Sequence, residues 1–532
     1  MKNVGSSNLG EIYMTWGLAF VVPLLTINLL WIETNRMAEI SFLLNLIILF
    51  LSWGIMRKKP KSLHLIVCIV VASVIDIMLL IWNFCFRSYS ENHHYHFDIF
   101  RGVFNNFHSP IYGNVYTPFL LKQDWTSFSP LWWPVIVLSF IFLAFISTQI
   151  AYLKEKRFFV WGIVFLFLFI IVFTNRSGIS GFVENRSHYA EFSYAAHFFH
   201  GAGDLLKNYV KLMPQLGIQS PHYPPGNVLL VMLAQWNIFL PKTVIVLSCI
   251  LTPLTIRFLM KQWHSGPLEY NMAALLFSIA APVLIFPKMA TEPLTMFLVS
   301  LAIALYQFML NGKRQFKAPV LTGIVVAMAC FFSFFMIFIC FFLFVYTVLS
   351  IYKNRDYSQS VYKKILMSII TFVFFYWLVY LLTGFNMMMC FKEALLHRSR
   401  IQGYEAYDNW ERYLFRSTGN FIAFVFLLGS PLVMLGLLNV KNKENQQTYF
   451  FAIALIITIL VTSFCGTFFL ETERLWMIFI PAIIALAATE LARYYSQISN
   501  KNYQMIIILF FISMLHSVVC VLLIDHSLGF FL

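Results

Sequence analysis

The residues with chemistry to offer fall in a few polar stretches of a chain that is otherwise almost wholly apolar. Glu191 sits in HYAEFSYAAHFF, where Tyr189, Phe192, Ala196 and Phe199 recur at helical spacing. A helix laid on a membrane surface holds such a carboxylate at the water–lipid boundary, where partial desolvation suits it to accept a proton. A solvated charge on an interfacial helix is the alternative. Next comes His222-Tyr223-Pro224-Pro225-Gly226. Two prolines fix the backbone, the second can open the following helix, and the glycine allows close packing, so His222 is pinned at a helix N-terminus, a place that favours anions such as phosphate. A plain turn leading into an apolar helix accounts for the same residues.

Glu292 opens a later apolar run in MATEPLTMFL. It is either a solvated carboxylate favoured by the helix dipole or a partner to Glu191, the two acids dividing the work of base and metal ligand. Arg474 stands between two acids in ETERLW. It can be neutralised by Glu471 or Glu473, or turn its planar fork to a phosphate. The segment 384–419 brings Lys392, His397, Arg398, Arg400, Arg412 and Arg416 together with Tyr404, Tyr407 and Trp410. That mixture suits a lipid phosphate and a sugar ring, and equally a solvated basic face. Upstream, HHYHFDIF carries His93, His94, His96 and Asp98. The histidines read as a metal-binding group or a solvated polar cluster, and Asp98 is the reserve catalytic acid.

The elements that must position these residues are membrane helices. Of 532 residues, 60% are hydrophobic and 11% charged, and runs such as 158–174 and 365–382 have bilayer-spanning length. The run 14–31 lacks a small-residue cleavage site and reads as a retained span. Eight scattered cysteines, without a CxxC, read as small apolar fillers.

Basic links at 57–61, 154–157, 313–317, 353–364 and 441–443 mark the cytoplasmic side. Sorted so, about 21 of the 37 Lys and Arg lie inside, and about 16 of the 23 acids lie outside. The net charge of +14 thus describes a rim facing anionic lipid, and no aromatic-interleaved basic patch points to nucleic acid.

The expected architecture is an all-α polytopic membrane protein of about 15 transmembrane helices, counted by span length. Residues 1–152 form N-terminal helices with a first external loop, and 153–532 form a core that includes the external loop 175–225. The apolar segment 227–240 is short for a span and reads as a re-entrant or surface-lying helix, whereas 271–287 reads as a span.

The order of an acidic loop helix at Glu191, HYPPG before a short helix, TEPL opening a span, YDNWERYLFRSTGNF and finally ETERLW resembles the bacterial membrane glycosyltransferases of the GT-C fold. The likeness covers roughly 175–493 and leans toward the subgroup with a histidine-proline-proline-glycine motif. That subgroup is distantly similar to protein O-mannosyltransferases and the lipid A aminoarabinose transferase.

The resemblance implies a GT-C-like fold in the bacterial cell membrane. It implies transfer of a sugar from a polyprenyl-phosphate donor to a glycan, lipid or protein acceptor on the extracytoplasmic face. Glu191 would then be the general base on the acceptor hydroxyl, and Glu292 would support it or a divalent ion, Mg or Mn, held by both. His222 and Tyr223 would border the donor with Trp410 and Arg412, and Arg474 would stabilise the leaving phosphate. The usual first-loop aspartate pair is absent, since Ala190 precedes the single Glu191. Two other classes stay open. A transporter or flippase of lipid-linked glycans should show charged or broken helices near midplane and internal repeats, where this chain offers Asp76 and no repeat. A polysaccharide polymerase or ligase would use external arginines and histidines in the same way.

Overall fold

The computed structural model describes residues 187–217, 220–234, 239–288, 290–312, 316–353, 358–402, 429–442, 445–465 and 475–497, with a few positions between 421 and 428 and between 510 and 517. The spans expected upstream of 187, and hence the whole of 1–152, lie outside the described residues. Every regular element described is helical, with no strand among them. In chain order they are α1 (Ser187–Ala196), α2 (Ala202–Leu212), α3 (Gly226–Leu233), α4 (Phe239–Gln262), α5 (Pro267–Ser278), α6 (Ala281–Ile285), α7 (Glu292–Asn311), α8 (Lys317–Phe332), α9 (Met336–Lys353), α10 (Ser358–Thr383), α11 (Met387–Gln402), α12 (Ser430–Leu438), α13 (Gln446–Phe464) and α14 (Ile480–Gln497).

Five helices among the described residues are long and apolar enough to cross a bilayer: Leu240–Gln262, Glu292–Asn311, Gln359–Thr383, Gln446–Phe464 and Trp476–Arg493. This is an α-helical membrane protein. The most peripheral of the five is α10, whose apolar side chains Leu366, Ile370, Val373, Phe374, Trp377 and Leu381 are all exposed, as a helix facing lipid requires. Its other side meets α8 at Gly323, where a Cβ would stand 2.4 Å from the Ser368 carbonyl oxygen. Only a residue without a side chain allows that approach.

Two expectations about spans are settled by helix length. The α3 helix has eight residues, a rise of about 12 Å, and does not cross. The segment 271–287 is not one helix. It breaks after Ser278 into α5, the five-residue α6 and a 3-10 turn at Phe286–Lys288, with Pro282 in the first turn of α6. Residues 271–287 are nonetheless buried throughout, so a broken path is packed inside the protein.

The helices α4 and α7 run parallel. Thr255 and Ser300 share a hydrogen bond at mid-height, and Asn311 Nδ2 donates to the Gln262 carbonyl at 2.9 Å at their far ends. At that same end Lys364 Nζ donates to the carbonyls of Met309 (3.0 Å) and Gly312 (2.9 Å), closing the C-terminus of α7 with a cation from α10. Gln447, at the start of α13, reaches Asn311 there too. Among the described residues, Gln262, Asn311, Gly312, Lys364 and Gln447 therefore share one end of the bundle. A smaller apolar cluster, built from α1–α3, α11, Phe334 and Phe385, closes the other.

Candidate functional site

The HYPPG turn meets the start of α7 at this second end. Tyr223 Oη donates to Glu292 Oε1 at 2.9 Å, and the two residues are only 6% and 5% exposed. Glu292 is therefore not the solvated helix-terminal carboxylate that one reading of TEPL allowed. It is oriented by a phenol from the preceding loop.

The turn is held from several sides. His222 ends a 3-10 turn at Ser220–His222, Pro224 and Pro225 are buried, and Pro225 stands at the N-cap of α3. A Cβ at Gly226 would stand 2.3 Å from the Phe331 carbonyl oxygen, so the glycine lets α3 sit on the end of α8. Asn227 Nδ2 adds a bond to the Phe332 carbonyl at 3.2 Å. The Tyr209 hydroxyl, buried in α2, shares its proton between the carbonyls of Ser220 (2.8 Å) and Tyr223 (3.0 Å). Burial pushes the Tyr209 phenol well above its ordinary pKa, which keeps it a donor.

Glu191 lies in α1, as its apolar spacing predicts, with Phe192, Ala195 and Ala196 buried against the turn. Phe192 stands edge-on to the Tyr223 ring at 5.6 Å, so the helix carrying Glu191 packs directly on the tyrosine that holds Glu292. At the start of α2, the His200 N–H and the Asn208 amide both donate to Asp204 and hold its carboxyl below the usual carboxylate range. From the other side α11 brings His397 to His222, with ring centroids 5.2 Å apart. The 3-10 turn Trp476–Phe479 packs against α7, and Leu475 just before it touches both apolar clusters.

Three of the polar stretches thus converge: 187–226, the start of α7, and α11, with the end of ETERLW beside them. Arg474, Trp410, Arg412, Asp98 and the three upstream histidines lie outside the described residues. Tyr209 was missed by sequence reasoning. Its signal is the Leu205–Tyr209 spacing, which puts both on the buried face of α2.

The divalent cation implied by the resemblance needs several oxygen ligands at once. Among the described residues no three His, Cys, Asp or Glu side chains gather to hold an ion, and Glu292 Oε1 already accepts from Tyr223. No family model, curated protein or solved structure matches this chain.

Proposed function

We propose that this protein is a membrane glycosyltransferase that moves a sugar from a polyprenyl-phosphate donor to an acceptor hydroxyl on the extracytoplasmic face. The observation that carries the reading is the Tyr223–Glu292 hydrogen bond. It joins HYPPG to TEPL, two motifs 69 residues apart whose order underlies the resemblance to GT-C enzymes.

In this reading the acceptor oxygen attacks the anomeric carbon as its proton passes to the Glu191 carboxylate, and the bond from that carbon to the phosphate oxygen breaks. Polyprenyl phosphate leaves with the electron pair, and Arg474 offsets the charge that develops on it. Glu292, oriented by Tyr223, supports the base from the start of α7. His222 borders the phosphate, and Trp410 and Arg412 line the sugar side.

Vesicles containing the purified protein, given a panel of radiolabelled polyprenyl-phosphate sugars and extracted envelope acceptors, test this reading. Label should leave the lipid for an acceptor with at least one donor. No transfer from any member of the panel would sink the proposal. The same assay with a chelator reads out the divalent cation, whose removal should lower the rate if Glu191 and Glu292 hold one.

A further inference from the structure

At the end of the bundle opposite Tyr223 and Glu292, the close of α4, the start of α13 and the last turns of α14 surround an open cleft of about 520 Å³. It lies some 28 Å away along α7 at 1.5 Å per residue. One wall is fixed by carboxamides. Gln447 donates to Asn311 Oδ1 at 3.4 Å, and Asn311 in turn donates to the Gln262 carbonyl. Asn445 uses its side-chain oxygen to accept the Thr448 N–H at 3.3 Å, capping α13 and leaving its amide nitrogen to donate elsewhere.

Trp263 and His264 also line the cleft. Trp263 is 3% exposed and packs edge-on against Phe451 at 4.8 Å, yet its indole N–H has no hydrogen-bond partner among the described residues. A buried donor left unsatisfied is unfavourable unless an acceptor is brought to it. His264 takes φ of 58°, the left-handed conformation, just where the Ser265 N–H bonds back to the Met260 carbonyl at 3.2 Å to close α4. Glycine is the usual residue at such a position, and the imidazole stands there at a backbone cost.

The cleft offers donors and positive charge. Arg493 stands on its rim, bonded to the buried Glu490. Lys261 is exposed on the last turn of α4. The nearby acid Glu269 is engaged with the Gly266 N–H at 2.8 Å. We infer that this cleft binds a phosphate group, recognised by the Trp263 indole, the His264 imidazole, the carboxamides and Arg493. Its volume admits a headgroup larger than the bare anion. An anionic phospholipid of the adjoining leaflet and a soluble phosphate compound share this chemistry. The inference does not depend on the glycosyltransferase reading.

Thermal unfolding of the full chain in nanodiscs tests it. One arm adds inorganic phosphate, against chloride at matched ionic strength, to phosphatidylcholine discs. The other replaces part of the phosphatidylcholine with phosphatidylglycerol. Binding to the folded state raises the midpoint. A rise with phosphate identifies a soluble ligand, a rise with phosphatidylglycerol alone identifies a lipid headgroup, and either supports the inference. Trp263→Phe keeps the ring packing and deletes the N–H, so the rise should shrink several-fold while the unliganded midpoint stays near wild type. His264→Gly relieves the left-handed strain, so its unliganded midpoint should hold or increase while the ligand-induced rise falls. If Trp263→Phe failed to fold, His264→Gly would still decide the matter. No rise in either arm, or a rise undiminished in the folded variants, overturns the proposal.

Discussion

Tyr223 donates its hydroxyl proton to Glu292 Oε1 at 2.9 Å, tying a loop that precedes the short helix α3 to the first residue of α7. Neither residue is more than 6% exposed, so the bond is shielded from competing water. It makes the position of the carboxylate depend on the HYPPG turn.

Tyr223→Phe keeps the ring against Phe192 and removes only the donor. A hydrogen bond to a charged acceptor contributes about 1.5–3 kcal/mol, so the variant should unfold more readily by that order and lose transfer activity. A double-mutant cycle with Glu292→Gln reads the coupling itself. Additive effects of the two substitutions would show that the bond carries no coupling.

Two glycines should respond in opposite senses to alanine. At Gly226 the new methyl would stand 2.3 Å from the Phe331 carbonyl oxygen, forcing α3 away from α8 and stretching the Asn227–Phe332 bond. A loss of about 1–3 kcal/mol is expected, with activity falling alongside. At Gly203, in α2, the methyl meets nothing within 4 Å, and the helix should be unchanged or slightly more stable. Thermal midpoints of the two variants compared with wild type check both signs.

Sidedness gives a third test. Asn311 bonds to Gln262 and Gln447 at one end of the bundle, and Glu292 lies at the other end of the same helix. Cysteines placed at Asn208 and Gln402 should label from outside the cell, and those at Arg314 and Lys443 only after permeabilisation. Labelling of position 314 from outside would put the Tyr223–Glu292 pair on the cytoplasmic face.

Much of this end was legible in the sequence because its signals are local. The spacing of Phe192 and Ala196 marks α1, the prolines and glycine of HYPPG mark the entry to α3, and Thr-Glu-Pro marks the start of α7. The break at 279–280 was not legible, since an unbroken apolar run reads alike whether one helix or two pieces are buried. Nor could spacing reveal that Tyr223 reaches Glu292 or that Tyr209 braces the turn. Both bonds form between elements whose juxtaposition is set by packing, which no local pattern encodes.

The transfer rate of Glu191→Gln tests the assignment of the general base. The amide preserves size and most hydrogen bonding and cannot take the acceptor's proton. The rate should fall by about 10² to 10⁴-fold, with donor binding largely kept. Asp98→Asn, measured beside it, should be mild. A Glu191→Gln protein with near-wild-type turnover and an inactive Asp98→Asn protein would rule out Glu191 as the base and move the chemistry to the external loop that carries Asp98.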